Sequence, residues 1–167
     1  TGKAAKMPAN PQITLSAFAD EAANHKTAIE QMAALAALGL KYYSPRFVDV
    51  TGEGAVAHVV DLSEGKLSTL RDIHAEYGMS VASIGSRIGK VKLLDQDDGT
   101  HNRYVPFEKY LETEIASTIR AARALGARLI RGFSFYHPAG EDPAHYVEPA
   151  AELIGRIADR FAEYDIV

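Results

Sequence analysis

The chain has 167 residues, of which 47% are hydrophobic and 24% charged, with a formal net charge of -4 and no cysteine. That length and apolar content suit one globular domain with a core of its own. The charge gives no electrostatic pull toward nucleic acid or an anionic membrane, no apolar run approaches the ~20 residues of a bilayer span, and disulfides, thiolate metal sites and a cysteine nucleophile are excluded.

Thr1 stands where a methionine would begin a chain, which points to a processed or fragmentary product. Thr1 to Pro11 is small, polar and basic and reads as a flexible lead-in. No leader is visible, and a cytoplasmic location is expected.

Ile13 to Phe18 is the first predicted strand, and Asp20 to His25 a polar loop after it. Ile29, Met32, Leu35 and Ala36 recur at helical spacing and predict a helix with one apolar face, ended by Gly39. Leu40 to Tyr43 is the second strand, closed near Ser44 because Pro45 cannot donate to a ladder. Arg46 to Val60 reads as a long connection punctuated by Gly52 and Gly54. Ser63 is positioned to cap a second helix striped by Leu67, Leu70, Ile73, His74 and Tyr77.

Met79 to Ile84 is the third strand, running into the glycine-punctuated loop Gly85 to Lys90. Asp95 to Thr100 is acidic and turn-rich and is expected to be exposed. Its partial likeness to a calcium loop fails at the twelfth position, where Pro106 replaces the required glutamate. A helix is predicted over Phe107 to Leu125 and a fourth strand over Arg128 to Phe133. A last helix follows, with Val147, Ala150, Ala151, Ile154, Ile157, Ala158 and Phe161 on one face.

One junction recurs: Leu38-Gly39-Leu40, Tyr77-Gly78-Met79 and Leu125-Gly126-Ala127 each join a helix end to an apolar strand, and Tyr164-Asp165-Ile166-Val167 repeats it with Asp165 in the glycine position. Glycine takes the left-handed residue at a helix end without steric cost. The repeat spells βαβαβαβα with a fifth strand beginning. Periodicity alone leaves a barrel and an open doubly wound sheet both possible, but no G-x-G-x-x-G follows the first strand, which argues against a dinucleotide site.

Five segments lie in order at these boundaries: Phe18-Ala19-Asp20-Glu21, Arg46-Phe47-Val48-Asp49, Val60-Asp61-Leu62-Ser63, Ser83 to Lys90, and Ile130 to Phe135. Together they resemble the sugar phosphate isomerase/epimerase family, the xylose-isomerase-like TIM barrels, over roughly residues 12 to 167. The resemblance implies the N-terminal half of a (β/α)8 TIM barrel, with about four βα units. It implies a metal-dependent isomerase or epimerase acting by proton transfer at a carbonyl-adjacent carbon. In such barrels a divalent ion (Mn, Mg, Co or Zn) is held by a glutamate, an aspartate, a histidine and a second glutamate at the ends of strands five to eight. Those positions would follow Val167, so no metal ligand and no catalytic residue is assigned here, and the segment alone is expected to be inactive.

Two positions depart from the family pattern. Ser44 and Pro45 stand where a carboxylate and an aliphatic residue usually precede the arginine, and Arg87 stands where proline is common. Sites in such barrels gather at the C-terminal ends of strands. Arg46, Arg87 and Lys90 are therefore candidates to grip a phosphate or carboxylate, with Ser86 beside them, and His137 with Phe135 to bind a sugar hydroxyl against an aromatic wall. His25 is a weaker candidate at the same end. His58, His74, His101 and His145 form no metal-ligand spacing. The expected partners are a sugar or sugar phosphate and a covering surface, either a C-terminal half or a second copy, since an open half-barrel has two strand edges. The alternatives are a non-catalytic, assembly-dependent half-barrel and an endonuclease-like hydrolase, the latter disfavoured by the net charge.

Overall fold

The computed structural model describes residues 13–167, so the Thr1 to Pro11 lead-in lies outside the described residues. The architecture is half of a (β/α)8 barrel. Its elements in chain order are β1 (Ser16–Ala17), α1 (Ala28–Ala37), β2 (Tyr42–Tyr43), β3 (Phe47–Val48), β4 (Ala57–His58), α2 (Glu64–Tyr77), β5 (Ser80–Val81), β6 (Ile84–Gly85), α3 (Phe107–Tyr110), α4 (Ala116–Leu125), β7 (Ile130–Arg131) and α5 (Val147–Ala162).

The barrel strands are short and parallel. Ser16 lies opposite Tyr42, Tyr42 opposite Ser80, and Ile84 opposite Ile130. The third predicted strand is thus split: β5 pairs with β2, and two residues later β6 pairs with β7. Val167 adds one more rung, its N–H donating to the Arg128 carbonyl and its own carbonyl accepting from Ile130 N–H, both at 2.7 Å. That alternation is the pattern of a parallel ladder. The recurring junction has one backbone state throughout: Gly39, Gly78, Gly126 and Asp165 have φ of 73°, 62°, 69° and 56°.

Local chemistry fixes the helix starts. Thr27 Oγ1 accepts from Glu30 N–H at 3.2 Å, and Ser63 Oγ accepts from Lys66 N–H at 3.3 Å. Each satisfies one of the orphan donors of a first turn. The main core gathers Leu62, Leu67, Leu70, Ile84, Tyr110, Ile115, Ile119 and Ala122 between strands and helices. A smaller core of Met32, Leu35, Tyr43 and Met79 lies under α1.

Several expectations are corrected. The first strand is two residues long, and Ile13 and Leu15 are exposed before it. On α1 the buried face is Ala28, Gln31, Met32 and Leu35, while Ile29 is 59% exposed and Ala36 is exposed too. Gln31 replaces them inside because its amide donates to the Lys26 and Phe47 carbonyls, at 3.0 and 2.8 Å. The connection from Arg46 to Val60 contains an antiparallel hairpin, β3 with β4. Buried Asp49 ties its turn together by accepting from the N–H groups of Gly52 and Gly54.

The helix expected over Phe107 to Leu125 is interrupted between α3 and α4 by a wider π turn, Leu111–Ile115. That turn carries Glu114 into a buried position. On α5 only Ala150, Ile157 and Phe161 are buried; Val147, Ala151, Ile154 and Ala158 are exposed, because no neighbouring helix covers that side. The acidic turn is not wholly solvated either. Asp98 closes a 2.6 Å ion pair with buried Lys92 and also accepts from Ala139 N–H at 3.2 Å. Lys92 forms backbone bridges to both Tyr104 and Tyr136, so the turn and the strand-four exit are laced together.

Candidate functional site

The C-terminal ends of β1, β2, β6 and β7 converge at one mouth, where Phe18, Arg46, Gly85 and Arg131 meet. A Cβ on Gly85 would come within 2.9 Å of the Phe18 ring, 3.1 Å of the Pro45 carbonyl and 3.3 Å of Arg46 Cβ. Phe18 therefore lies against bare backbone and fills the floor of the mouth. Arg46 and Arg131 sit with their guanidinium carbons 5.1 and 4.6 Å from its ring centroid. Arg131 is also 5.1 Å from the Phe133 ring, and Lys90 Nζ is 4.5 Å from that same ring. Cation and ring thus alternate across the mouth: Arg46, Phe18, Arg131, Phe133, Lys90.

The cations differ in what neutralises them. Arg46 donates from Nε and Nη2 to buried Asp20, at 3.0 and 2.8 Å, and from Nη2 to Glu21 at 2.8 Å. Hydrogen bonds to Asp20 hold its pKa above the ordinary arginine value. Arg87 forks onto Asp61 at 2.7 and 2.6 Å and donates to both oxygens of Glu114 at 3.0 Å, which raises its pKa as well. It borders a cavity of about 440 Å³ shared with Arg103, Tyr104 and Lys109. Both arginines proposed from sequence to grip an anion are thus held by carboxylates of the chain itself.

Ser86 is buried and its hydroxyl is filled twice: it donates to the Arg131 carbonyl at 2.6 Å and accepts from Ile88 N–H at 3.1 Å. It braces the loop against β7. Gly89 continues that brace. It has φ of 79°, a Cβ there would overlap the Phe133 carbonyl, and its N–H donates to Tyr110 Oη at 2.9 Å. The loop bearing Lys90 is thereby pressed onto the strand-four exit.

Phe135 has φ of 70°, an uncommon state for a bulky side chain, and its ring tilts against Tyr110 at 6.3 Å between centroids. His137 stacks at 6.0 Å on Tyr146 and joins Phe135, Leu93 and Ser134 around a cavity of about 310 Å³ at the start of α5. Of these candidates Lys90 alone is tied to the mouth cluster, through Phe133, while Phe135 and His137 line the separate cavity at the start of α5. His25 is 79% exposed in its side chain and pairs with Glu30 at 2.9 Å, away from the other candidates' cavities. Sequence reasoning missed Arg131 and Phe18, although both lie inside the segments that carried the family likeness.

Two histidines outside the mouth are strongly perturbed. Burial pushes His74 down to about 4, and its Nε2 lies 2.5 Å from Tyr43 Oη in the interior. Burial, then the positive charge of Arg87, pushes His58 down to about 4 as well. Among the described residues no group of three or more His, Asp or Glu converges in a way that fits a divalent metal, and no helix is long and apolar enough to cross a membrane.

No family model matches the sequence, and no curated protein matches it. Solved structures do match. An L-ribulose 3-epimerase aligns at 16% identity with a TM-score of 0.59, covering 93% of this chain and 48% of that one. A xylose isomerase domain protein from Alicyclobacillus acidocaldarius aligns at 13% identity and 0.55, covering 92% and 47%. An AP endonuclease, family 2, from Brucella melitensis aligns at 15% identity and 0.57, covering 92% and 53%. The chain spans about half the length of the structures it matches. The fold is therefore that of a TIM barrel, present over about half its length.

Proposed function

We propose that this chain forms the first half of a sugar isomerase or epimerase built on a xylose-isomerase-like TIM barrel. The observation that supports this reading is the mouth itself: strand ends, a polar and aromatic lining and unneutralised cations meet where such barrels bind substrate. On this reading Phe135 and His137, which line the cavity at the start of α5, would offer an aromatic wall and a polar group to a sugar, and Lys90, resting on the Phe133 ring, a positive charge. Among the described residues no cluster suits a divalent ion; on this reading the metal ligands and the proton-transferring carboxylates would be supplied by a second half, and no catalytic step is assigned to this chain. The hydrolase alternative shares the fold, but the net charge of -4 disfavours a nucleic-acid partner.

The test is direct. The coding sequence after the Val167 codon is read and the longer product incubated with ketoses and Mn²⁺ in D₂O. Glutamate, aspartate, histidine and glutamate at the ends of the following strands, with deuterium entering next to the carbonyl, is the expected result. Their absence together with no exchange would sink the assignment.

A second reading has its own support. The apolar groove beside β7 and α5 has a volume of about 760 Å³ and is lined by Ile88, Ile130, Phe133, Ile154, Phe161 and Val167. An open groove of that composition marks a surface built to be covered. A C-terminal half is the occupant this reading names.

A further inference from the structure

The helical layer carries a cavity of about 490 Å³ where α2, α4 and the end of α5 meet. Each helix gives it one stripe. Leu67, Ser68 and Arg71 come from α2; Ile119, Arg120 and Arg123 from α4; Arg160 and Tyr164 from the end of α5. Spacings of three and four residues put each set on one helical face. Four exposed arginines thus line one cavity in a chain whose net charge is -4.

The chain leaves most of that charge unmet. Among the described residues Arg71, Arg120 and Arg123 have no carboxylate partner, and of the four only Arg160 is paired, with Glu163. Glu64 is the single carboxylate in the lining. Three of the guanidinium groups are also held in place. Arg120 Nη2 donates to the Val60 and Leu62 carbonyls, each at 3.0 Å, which anchors it to the backbone just before α2. Arg123 and Arg160 each lie with the guanidinium carbon 5.4 Å from the centroid of the Tyr164 ring, which itself packs on the main core. A guanidinium laid on a ring spends its face there and keeps its N–H edge for an oxyanion.

The floor narrows the kind of ligand. Leu67 and Ile119 are only 1% and 5% exposed, so a partner helix would find little apolar surface left to cover. The volume suits a small molecule. One phosphate or carboxylate satisfies one guanidinium fork, whereas arginines from three helices call for several anionic groups on one ligand. A phosphate chain carries charge on every unit along its length and can meet α2, α4 and α5 at once; a compact tricarboxylate holds its charges close to one point.

We propose that this cavity binds the polyphosphate chain of a small anion, carried by a nucleoside or as inorganic polyphosphate, with Arg71, Arg120, Arg123 and Arg160 as its contacts. The site uses no residue of the mouth, so it stands whether or not the sugar reading does.

Isothermal titration of the 167-residue chain in EDTA tests it with five probes: inorganic tripolyphosphate, orthophosphate, ATP, citrate and a glutamate-rich peptide. Tripolyphosphate is expected to bind at least about tenfold more tightly than orthophosphate, because it engages more guanidinium groups. Arg120→Gln and Arg123→Gln should each weaken it by about tenfold. Arg123→Gln changes an exposed side chain, so an unchanged circular dichroism spectrum separates lost binding from lost folding. Glu64→Gln removes the carboxylate from the lining and should tighten binding by about threefold, a gain that a misfolded variant cannot mimic. Lys41→Gln, a lost charge just before β2, should leave the affinity as it is.

ATP binding more tightly than tripolyphosphate supports the site as one for a nucleoside polyphosphate, and equal binding supports it as one for the phosphate chain alone. Citrate binding as tightly as tripolyphosphate overturns the phosphate assignment. The glutamate-rich peptide bound, with neither phosphate ligand bound, overturns the small-anion site in favour of an acidic protein partner. Tripolyphosphate affinity unchanged in both Gln variants, or absent at millimolar concentration, overturns the site altogether.

Discussion

The middle and the flanks of this half-barrel obey the same sequence pattern and end in different states. On α2 and α4 the apolar stripe is sealed: Leu67, Leu70, Ile119 and Ala122 are buried. On α1 and α5 a stripe of the same spacing leaves Ile29, Val147 and Ile154 in solvent, with Ile154 39% exposed. Of these helices α2 is flanked on both sides, by α1 and by α4, and α4 is further covered by the π turn and β6, whereas α1 packs against α2 alone among the long helices. Helical periodicity therefore identifies a face that needs cover. It carries no information about whether the cover belongs to the same chain.

The largest effect that tests this contrast is truncation. Leu70→Ala in the sealed centre should cost roughly 2–5 kcal/mol, as buried leucine deletions do, and lower the melting temperature by several degrees or more. Ile154→Ala on the flank should cost less than about 1 kcal/mol, because most of the removed surface already faces water. Equal losses in chemical denaturation would mean the flank is covered in solution. Losses in the expected order would confirm that the centre alone carries the fold.

A smaller effect follows from pH, and it too resides in the centre. His58 and His74 have folded-state values pushed down to about 4 from an unfolded value of 6.5. A depressed histidine keeps its stabilising neutral state above the unfolded value and loses it as pH falls toward the folded value. Stability should therefore be flat above pH 6.5 and decline between 6.5 and 4, by on the order of 1 kcal/mol per pH unit for each histidine at most. Urea titrations across that window measure the slope. His74→Gln should roughly halve it and a further His58→Gln flatten it, and a slope unchanged in the double variant would show that these rings are not the titrating groups.

The smallest effect sharpens the comparison at the level of single turns. Ser63→Ala at the start of α2 and Thr27→Ala at the start of α1 each remove one capping bond worth about 1 kcal/mol. The two costs should match, since capping depends on the local turn and not on what the helix packs against. A much larger loss for one would mean that helix relies on its cap for docking.

How much of this was legible beforehand divides along the same line. The Gly39, Gly78 and Gly126 junctions, with Asp165 standing in for a fourth, are local events, and the sequence announces them directly. The Ser63 cap is local too. The hairpin β3–β4 was hidden because Gly52 and Gly54 read as loop residues until Asp49 is seen gathering their N–H groups. The fates of Arg46, Arg87 and Asp98 were invisible, since each is decided by a partner distant in sequence or sealed by packing. Arg131 was passed over because a charged strand residue announces nothing until its neutral surroundings are known.

The Lys92–Asp98 pair has one more implication, for motion. Lys92 joins Tyr104 and Tyr136 through the backbone, and Asp98 takes the Ala139 N–H. The loop after β6 and the exit of β7 are therefore fastened into one lip. Opening either side alone would strip a partner from a charge sheltered from water, which ties the movement of one side to that of the other. Motion of this lip is expected on the slower, microsecond-to-millisecond scale of joined segments rather than the nanosecond flicker of a free loop, which relaxation dispersion would measure.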